Sequence, residues 1–378
     1  MEGVAILGVG MIRFGMYPER TVHQMGCEAG LAALDDAGVS FRDIDAVYAG
    51  HIFMPPMTAT RVVKELGLTG VPVQRIENAS ATGTCALREA YLAVAGGHYD
   101  RVLVLGFDKM TQVMGAAPDP KDMDEAILPA AFFAMWATRR MHERGTKPEH
   151  LAAIAAKNWN FGALNPMSQR QPKTRVTPEQ VLASGMVAWP LTKMMACPIG
   201  DGAAAAVVCR ADLAKRYRPE RPVIRIAASH LGSERYERGH LFMGPVVGPA
   251  QMSRDAARDL YEQAGFGPED IQLVQVHDAF VIEELEYYEL LGFCREGEAE
   301  AHIEAGTFGP GGKVPFSTDG GLIARGHPGG PTGLAQIWET TLQLRGEAGP
   351  RQVPNARAGL CHMMGGGSVC AAHILVRE

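Results

Sequence analysis

The apolar positions change period several times along the chain, and each change marks an element. Val4 to Gly8 is an unbroken apolar run and predicts a buried first strand. A helical period follows from about Thr21 to Ala37 and stops at Gly38, and Asp45 to Gly50 reads as a short strand. The Met/Pro-rich stretch from His51 to Thr60 reads as a loop. The most informative segment is 76–110. A strand-like run from Val71 to Ile76 breaks there into small polar residues, Asn78, Ser80, Thr82 and Gly83. Ala86, Leu87, Ala90, Tyr91, Ala93 and Val94 then fall on one broad helical face, Gly96-Gly97 stops the helix, and Val102 to Leu105 is a strand without alternation. This order predicts a βαβ unit whose small-residue turn faces the positive end of the helix dipole, with Ser80 in that turn.

From Asp108 to Pro198 the pattern differs. Prolines recur at 118, 120, 129, 148, 166, 172, 178 and 190, with two amphipathic helices near 130–144 and 148–161. The segment reads as an excursion inserted between two strands of the first unit. Buried small residues return at Asp201 to Cys209, and Arg221-Pro222 marks a boundary, giving halves of 1–220 (with a loop domain at about 109–198) and 221–378. The second half repeats the first. It has a strand at Val223 to Ala227, a helix at Met252 to Gly265 and a strand at Ile271 to Val276. A helix around Ile282 to Leu291 follows, then a glycine-rich loop, a long helix near Pro331 to Leu344 and two terminal strands. GDGAAAAVVC (200–209) and GGGSVCAAHIL (365–375) look like matching closing strands. Two similar α/β halves are therefore expected to pack together, with sites where their loops meet.

Composition narrows the chemistry. The chain of 378 residues suits two core units, and its net charge of -6 argues against general binding to nucleic acid or a membrane surface. The 7 cysteines are scattered without CxxC or Cys/His metal spacing, which suits reduced thiols in a cytoplasmic protein. GVGMIRFG (8–15) lacks the glycine spacing and the following helix of a dinucleotide loop. Between Arg139 and Arg175 there are eight Lys/Arg against two Glu. In an acidic chain that surplus fits either an anionic ligand or a solvated helix face.

Taken together, these residues resemble the thiolase superfamily over almost the whole chain. Ser80, Gly83 and Gly97 match the nucleophile turn and its helix. LGFDKM (105–110) and GDGAAA (200–205) match the following strand and the half-closing motif. HDAF (277–280) resembles the HDCF of sterol-carrier-type thiolases, and GGLIARGHPGGPTG (320–333) fits GGxIxxGHPxGxxG. GGG (365–367) sits at the final glycine loop. The resemblance implies a five-layered αβαβα thiolase fold and a homodimer or dimer of dimers. It also implies chemistry beside the thioester of coenzyme A, a substrate rather than a permanently bound cofactor. Arg139, Arg140, Arg144, Lys173 and Arg175 fall in the region that holds the nucleotide end of coenzyme A. Relatives with the HDAF/GHP pattern often work with a small zinc-ribbon/OB-fold partner, so such a subunit is expected here.

The family's cysteine nucleophile is replaced by Ser80, whose hydroxyl needs a neighbouring base. Cys85 lies five residues along the helix, about 140° round and roughly 7.5 Å up its axis, and cannot share the site. Both usual acid/base thiols are absent: their places hold Met363 and Ala279, while Cys361 lies one strand repeat away and reaches the site only through a bulge. Imidazole remains. By resemblance His327 polarises the acyl oxygen or activates the nucleophile, and His277 completes an oxyanion site or acts as acid/base. Asp278 is expected to orient its loop. Gly366 and Gly367 either offer backbone N–H groups or let the chain turn tightly, and Ser317 stands where thiolases usually have Asn. Met54, Met57, Met110, Met114, Met194, Met195, Met363 and Met364 read equally well as a pliable acyl lining or as core. Three functions follow: thiolytic or acyl-transfer enzyme, retro-aldolase on a 3-hydroxyacyl-CoA, and non-catalytic acyl-CoA carrier or partner subunit.

Overall fold

The computed structural model describes residues 3–114, 129–235 and 250–378. Its first half runs β1 (Val4–Met11), α1 (Val22–Ala37), β2 (Ala46–Gly50), α2 (Thr58–Leu66), β3 (Val73–Ile76), α3 (Thr82–Ala95) and β4 (Arg101–Lys109). The excursion carries α4 (Met110–Met114), α5 (Pro129–Arg144), α6 (Pro148–Leu164), α7 (Pro178–Leu182) and a hairpin of β5 (Met186–Ala188) and β6 (Leu191–Thr192). It returns through β7 (Asp201–Arg210) and α8 (Ala211–Tyr217). The second half runs β8 (Ile224–Ser233), α9 (Ala250–Ala264), β9 (Leu273–Gln275), α10 (Val281–Leu290) and α11 (Ala299–Glu304). It ends with α12 (Gly321–Arg325), α13 (Thr332–Arg345), β10 (Ala358–Gly365) and β11 (Val369–Arg377). Pro118, Pro120 and the side chain of Met114 lie outside the described residues.

Strand order is β3-β2-β4-β7-β1-β8-β11-β10-β9. In the first half β7 lies antiparallel between β1 and β4, and β2 adds in parallel to β4. In the second, β11 lies antiparallel between β8 and β10, and β9 adds in parallel to β10. The closing strands GDGAAAAVVC and GGGSVCAAHIL therefore occupy equivalent places in two copies of one plan. The halves meet at β1 and β8, where Ala5 and Ile6 pair with Arg225 and Ile224.

Several details differ from the sequence reading, among them the helix α2, which begins at Thr58 inside the stretch read as a loop. The β3–α3–β4 crossover skips a strand, because β2 lies between β3 and β4 and pairs with both. β4 also continues past Leu105 to Lys109, since β7 supplies a ladder that far, with Lys109 opposite Asp201.

Three apolar clusters fill the spaces between layers. One packs α1 and α2 on the outer face of the sheet's first half, through residues such as Met25, Ala33, Val62 and Leu103. Another packs α9 and α10 against its second half, through Met252, Leu260, Leu285 and Ile374. On the shared inner face lie α3 and α13, with Leu87, Ala90, Leu334 and Ile337 against inward residues of both halves, such as Val104, Val208, Cys361 and Ala371. The two central helices approach closely at their N-termini. A Cβ on Gly83 would lie 2.6 Å from the Gly330 carbonyl oxygen, so only glycine allows that contact. The contact brings the turn before α3 next to the loop before α13.

Candidate active site

The turn ahead of α3 is held by its own small polar groups. The Asn78 N–H donates to Thr82 Oγ1 at 2.9 Å, and the Thr82 N–H donates to the Ala79 carbonyl at 3.0 Å. Ala79 has φ of +47°, a left-handed conformation unusual for a residue with a side chain. The second half packs directly on this turn, since a Cβ on Gly365 would lie 2.2 Å from the Asn78 carbonyl oxygen. Gly366 and Gly367 have φ of +56° and +77°, and the Ser368 N–H bonds back to the Gly365 carbonyl at 3.0 Å. These glycines form a tight turn beside Ser80.

Ser80 Oγ lies 3.1 Å from His327 Nε2. The far side of that ring, Nδ1, is 2.8 Å from Thr332 Oγ1, and the Thr332 hydroxyl donates to the Pro328 carbonyl at 2.8 Å. With its own proton so used, Thr332 accepts from Nδ1–H. That leaves Nε2 as the acceptor for the Ser80 hydroxyl. Burial, with His277 and Arg325 nearby, holds the His327 imidazole well below its usual pKa, so the ring is neutral. Its loop is anchored across the halves by Asp108, whose carboxylate accepts from the Gly330 N–H at 2.7 Å and from the Ile52 N–H at 3.1 Å. Burial raises the Asp108 carboxyl to about 6 against these hydrogen bonds.

His277 enters from the end of β9. Its ring meets that of His327 edge-on, with centroids 5.3 Å apart. Nδ1 lies 2.8 Å from Glu283 Oε1, while Nε2 is buried without a protein partner among the described residues. Asp278 turns away from the imidazoles and binds its loop, accepting from the Leu322 N–H at 2.7 Å and from Asn158 Nδ2 at 2.8 Å. Burial and the neighbouring Glu284 raise its carboxyl well above the usual range. Ser317 donates to Glu284 at 3.0 Å, so it belongs to this support and not to the imidazole pair. Sequence reasoning missed Glu283. Its signal was a carboxylate in the first turn of the helix that follows HDAF.

The thiols are accounted for. Cys361 sits on the inward face of β10, 3.1 Å from Thr340 Oγ1, with its thiol pushed up to about 12 by burial; the bulge that would bring it to the site is absent from β10. Cys85 is buried in α3 and pushed up to about 11. Cys197 lies beside HDAF, its N–H donating to the Ala279 carbonyl at 2.9 Å, and burial holds its thiol protonated as well. Met54, Met195, Met363 and Met364 are core residues, whereas Met57 is exposed.

The five basic residues do not form one cluster. Arg140 is buried among Glu286, Glu289 and Glu300, at 3.1, 2.6 and 3.0 Å. Arg139 pairs with Glu143 and Arg144 with Glu296. Lys173 and Arg175 alone of the five line a cavity of about 790 Å³, walled by Ile154, Leu164, Tyr288 and Phe308, which Ser80, His277 and His327 do not line. Local charge balance, invisible in a count over 139–175, explains the split: the partner carboxylates of Arg140 and Arg144 lie at 286–300.

A half-buried serine–imidazole pair and a second, carboxylate-backed imidazole thus stand together where two repeated α/β halves meet. The chain matches the family described as thiolase, N-terminal domain, over residues 4–212, and the thiolase C-terminal domain-like family over 239–377. It belongs to the thiolase superfamily. The acetyl-CoA acetyltransferase of Methanothermobacter thermautotrophicus is 37% identical over 390 aligned positions, spanning 100% of both chains. Human sterol carrier protein 2 is 36% identical, over 98% of this chain and 71% of that one. Among solved structures, the Ltp2–ChsH2(DUF35) aldolase superimposes with a TM-score of 0.86 and 26% identity, covering 100% of this chain and 98% of the other.

Proposed function

We propose that this protein is a thiolase-type acyltransferase that makes or breaks the carbon–carbon bond beside a coenzyme A thioester, with Ser80 at the acyl position. One observation carries the reading: Ser80 Oγ lies 3.1 Å from an imidazole nitrogen whose tautomer leaves it free to take the hydroxyl proton. Attack by Ser80 Oγ on the acyl carbon transfers its proton to His327 Nε2; the carbon–carbon bond breaks with its electron pair on the released thioester, whose enolate carbon takes that proton, and an ester to Ser80 remains. A thiol of coenzyme A then attacks that ester, and its S–H proton, taken up by the imidazoles, is passed to Ser80 Oγ as the acyl group leaves. The residues present suit coenzyme A as a substrate. Lys173 and Arg175 are exposed and form no ion pair among the described residues, beside an apolar-walled cavity, so they are the basic residues left to meet its anionic end.

A second reading is favoured by the likeness to an aldolase together with serine, methionine and alanine at the three thiol positions: retro-aldol cleavage of a 3-hydroxyacyl-CoA, which needs no acyl-enzyme. One experiment separates the two. A 3-oxoacyl-CoA with added free coenzyme A is shortened if Ser80 carries acyl groups, while a 3-hydroxyacyl-CoA releases a ketone or aldehyde without added coenzyme A if the aldolase operates. Binding without turnover of either substrate contradicts both and supports a carrier.

The likeness to the Ltp2–ChsH2(DUF35) aldolase supports a partner subunit; we further propose that this partner is a small zinc-ribbon/OB-fold protein and that the chain itself is a cytoplasmic homodimer. Purification from the native source that yields only homo-oligomer contradicts the partner. No helix among the described residues is long and apolar enough to cross a membrane.

A further inference from the structure

We propose that Glu283 is a positioning residue that fixes the tautomer of His277, so that Nε2 acts as a proton acceptor in place of the thiols this chain lacks. The inference rests on the reading above and adds to it the base for the second half-reaction. Glu283 is the third residue of α10, where the helix N-terminus favours a carboxylate. Oε2 accepts the Phe280 N–H at 3.2 Å, and the Tyr287 hydroxyl donates to Oε1 at 3.4 Å. Oε1 faces His277 Nδ1 at 2.8 Å, and both side chains are buried, at 6% and 3% exposure. A carboxylate has no proton to give, so the hydrogen in that bond belongs to Nδ1.

The consequence falls on Nε2, on the far side of the ring. In the neutral ring it carries the lone pair; it is buried and has no protein partner among the described residues. A buried acceptor left open costs stability unless something else fills the position. The groups around it do not compete for that role. His327 is engaged with Ser80 and Thr332, His362 of β10 is bound to Ser253 at 3.0 Å, and Cys197 is a protonated thiol. Two imidazoles in edge contact thus carry different tasks. His327, backed by a neutral hydroxyl, serves Ser80. His277, held by a carboxylate at Nδ1, presents Nε2 to accept the proton of the incoming thiol of coenzyme A. In that step the S–H bond breaks, an N–H bond forms at Nε2, and Nδ1–H stays shared with Glu283.

The direct test is the ¹⁵N spectrum of the histidine-labelled protein without substrate, comparing wild type with Glu283→Gln and Glu283→Ala. The expected result is a His277 ring protonated at Nδ1 in wild type that becomes mixed or reversed in both variants. Kinetics with whichever substrate the wild type turns over should show kcat falling about 10²-fold in Glu283→Gln. KM should stay within about twofold, as for a group acting on the chemical step. A wild-type ring protonated at Nε2, or an unchanged His277 spectrum in both variants, overturns the proposal. Because the spectrum is read without substrate, it distinguishes failure of this inference from failure of the proposed activity.

Discussion

Ser80 replaces a thiol with a far less acidic hydroxyl, and the surroundings compensate at one point only. His327 Nε2 is positioned to take its proton, yet the ring has a hydroxyl and not a carboxylate behind it. Removing this base in His327→Ala should lower the rate of acyl transfer by about 10²–10⁴-fold, measured as kcat on a 3-oxoacyl-CoA with free coenzyme A. Ser80→Cys should raise the thiolytic rate, since a thiol beside the same imidazole and helix terminus ionises more readily and leaves more easily. No change in Ser80→Cys would mean that residue 80 never touches the acyl group. Glu283 shows what residue-level reading of the sequence leaves out. HDAF and GHP named both imidazoles, but a glutamate in a run with two further glutamates, Glu284 and Glu286, gave no sign of which one faces a histidine. The three carboxylates face different groups: Glu283 meets His277, Glu284 meets Lys157 and Asn158, and Glu286 meets Arg140.

The elements place these groups through contacts between the halves. Asp108 lies one residue from the end of β4 in the first half and holds the Gly330 N–H of the second, so a carboxylate buried by its strand fixes the His327 loop. Its pKa is raised, so the folded chain binds a proton there that the unfolded chain releases above about 4. Stability from this group is therefore greatest below the unfolded value and is lost as pH rises through about 6. Asp108→Asn should gain stability relative to wild type between pH 4 and pH 7, by roughly 1–3 kcal/mol, in parallel denaturant titrations. It should also cost activity where the loop loosens. The repeat was legible in the sequence because each closing strand is a continuous small-residue run. That β2 intervenes between β3 and β4 was not, because strand order depends on tertiary pairing that periodicity along one segment does not record.

At the scale of the molecule, the proposed function requires one extended substrate to join the acyl position at Ser80 to the basic cavity of Lys173 and Arg175 at the surface. Lys173 and Arg175 lie on the cavity beyond α6, while α6 itself touches the HDAF loop through Asn158. Lys173→Ala combined with Arg175→Ala should raise KM for the coenzyme A substrate about tenfold and leave kcat unchanged, the signature of uniform binding. An unchanged KM would assign the nucleotide end to another surface. Composition announced a basic stretch at 139–175 but not its division. Charge counted along the chain cannot see that the carboxylates of Glu286, Glu289 and Glu300 come back to neutralise Arg140.

The central claim is that an acyl group passes through Ser80. Mass spectrometry of the protein after brief exposure to a 3-oxoacyl-CoA, without free coenzyme A and quenched in acid, tests it most directly. The account predicts an acyl mass on the peptide containing Ser80, lost in Ser80→Ala together with turnover. A Ser80→Ala variant that retains wild-type turnover, with no acyl mass on that peptide in the wild type, would contradict it.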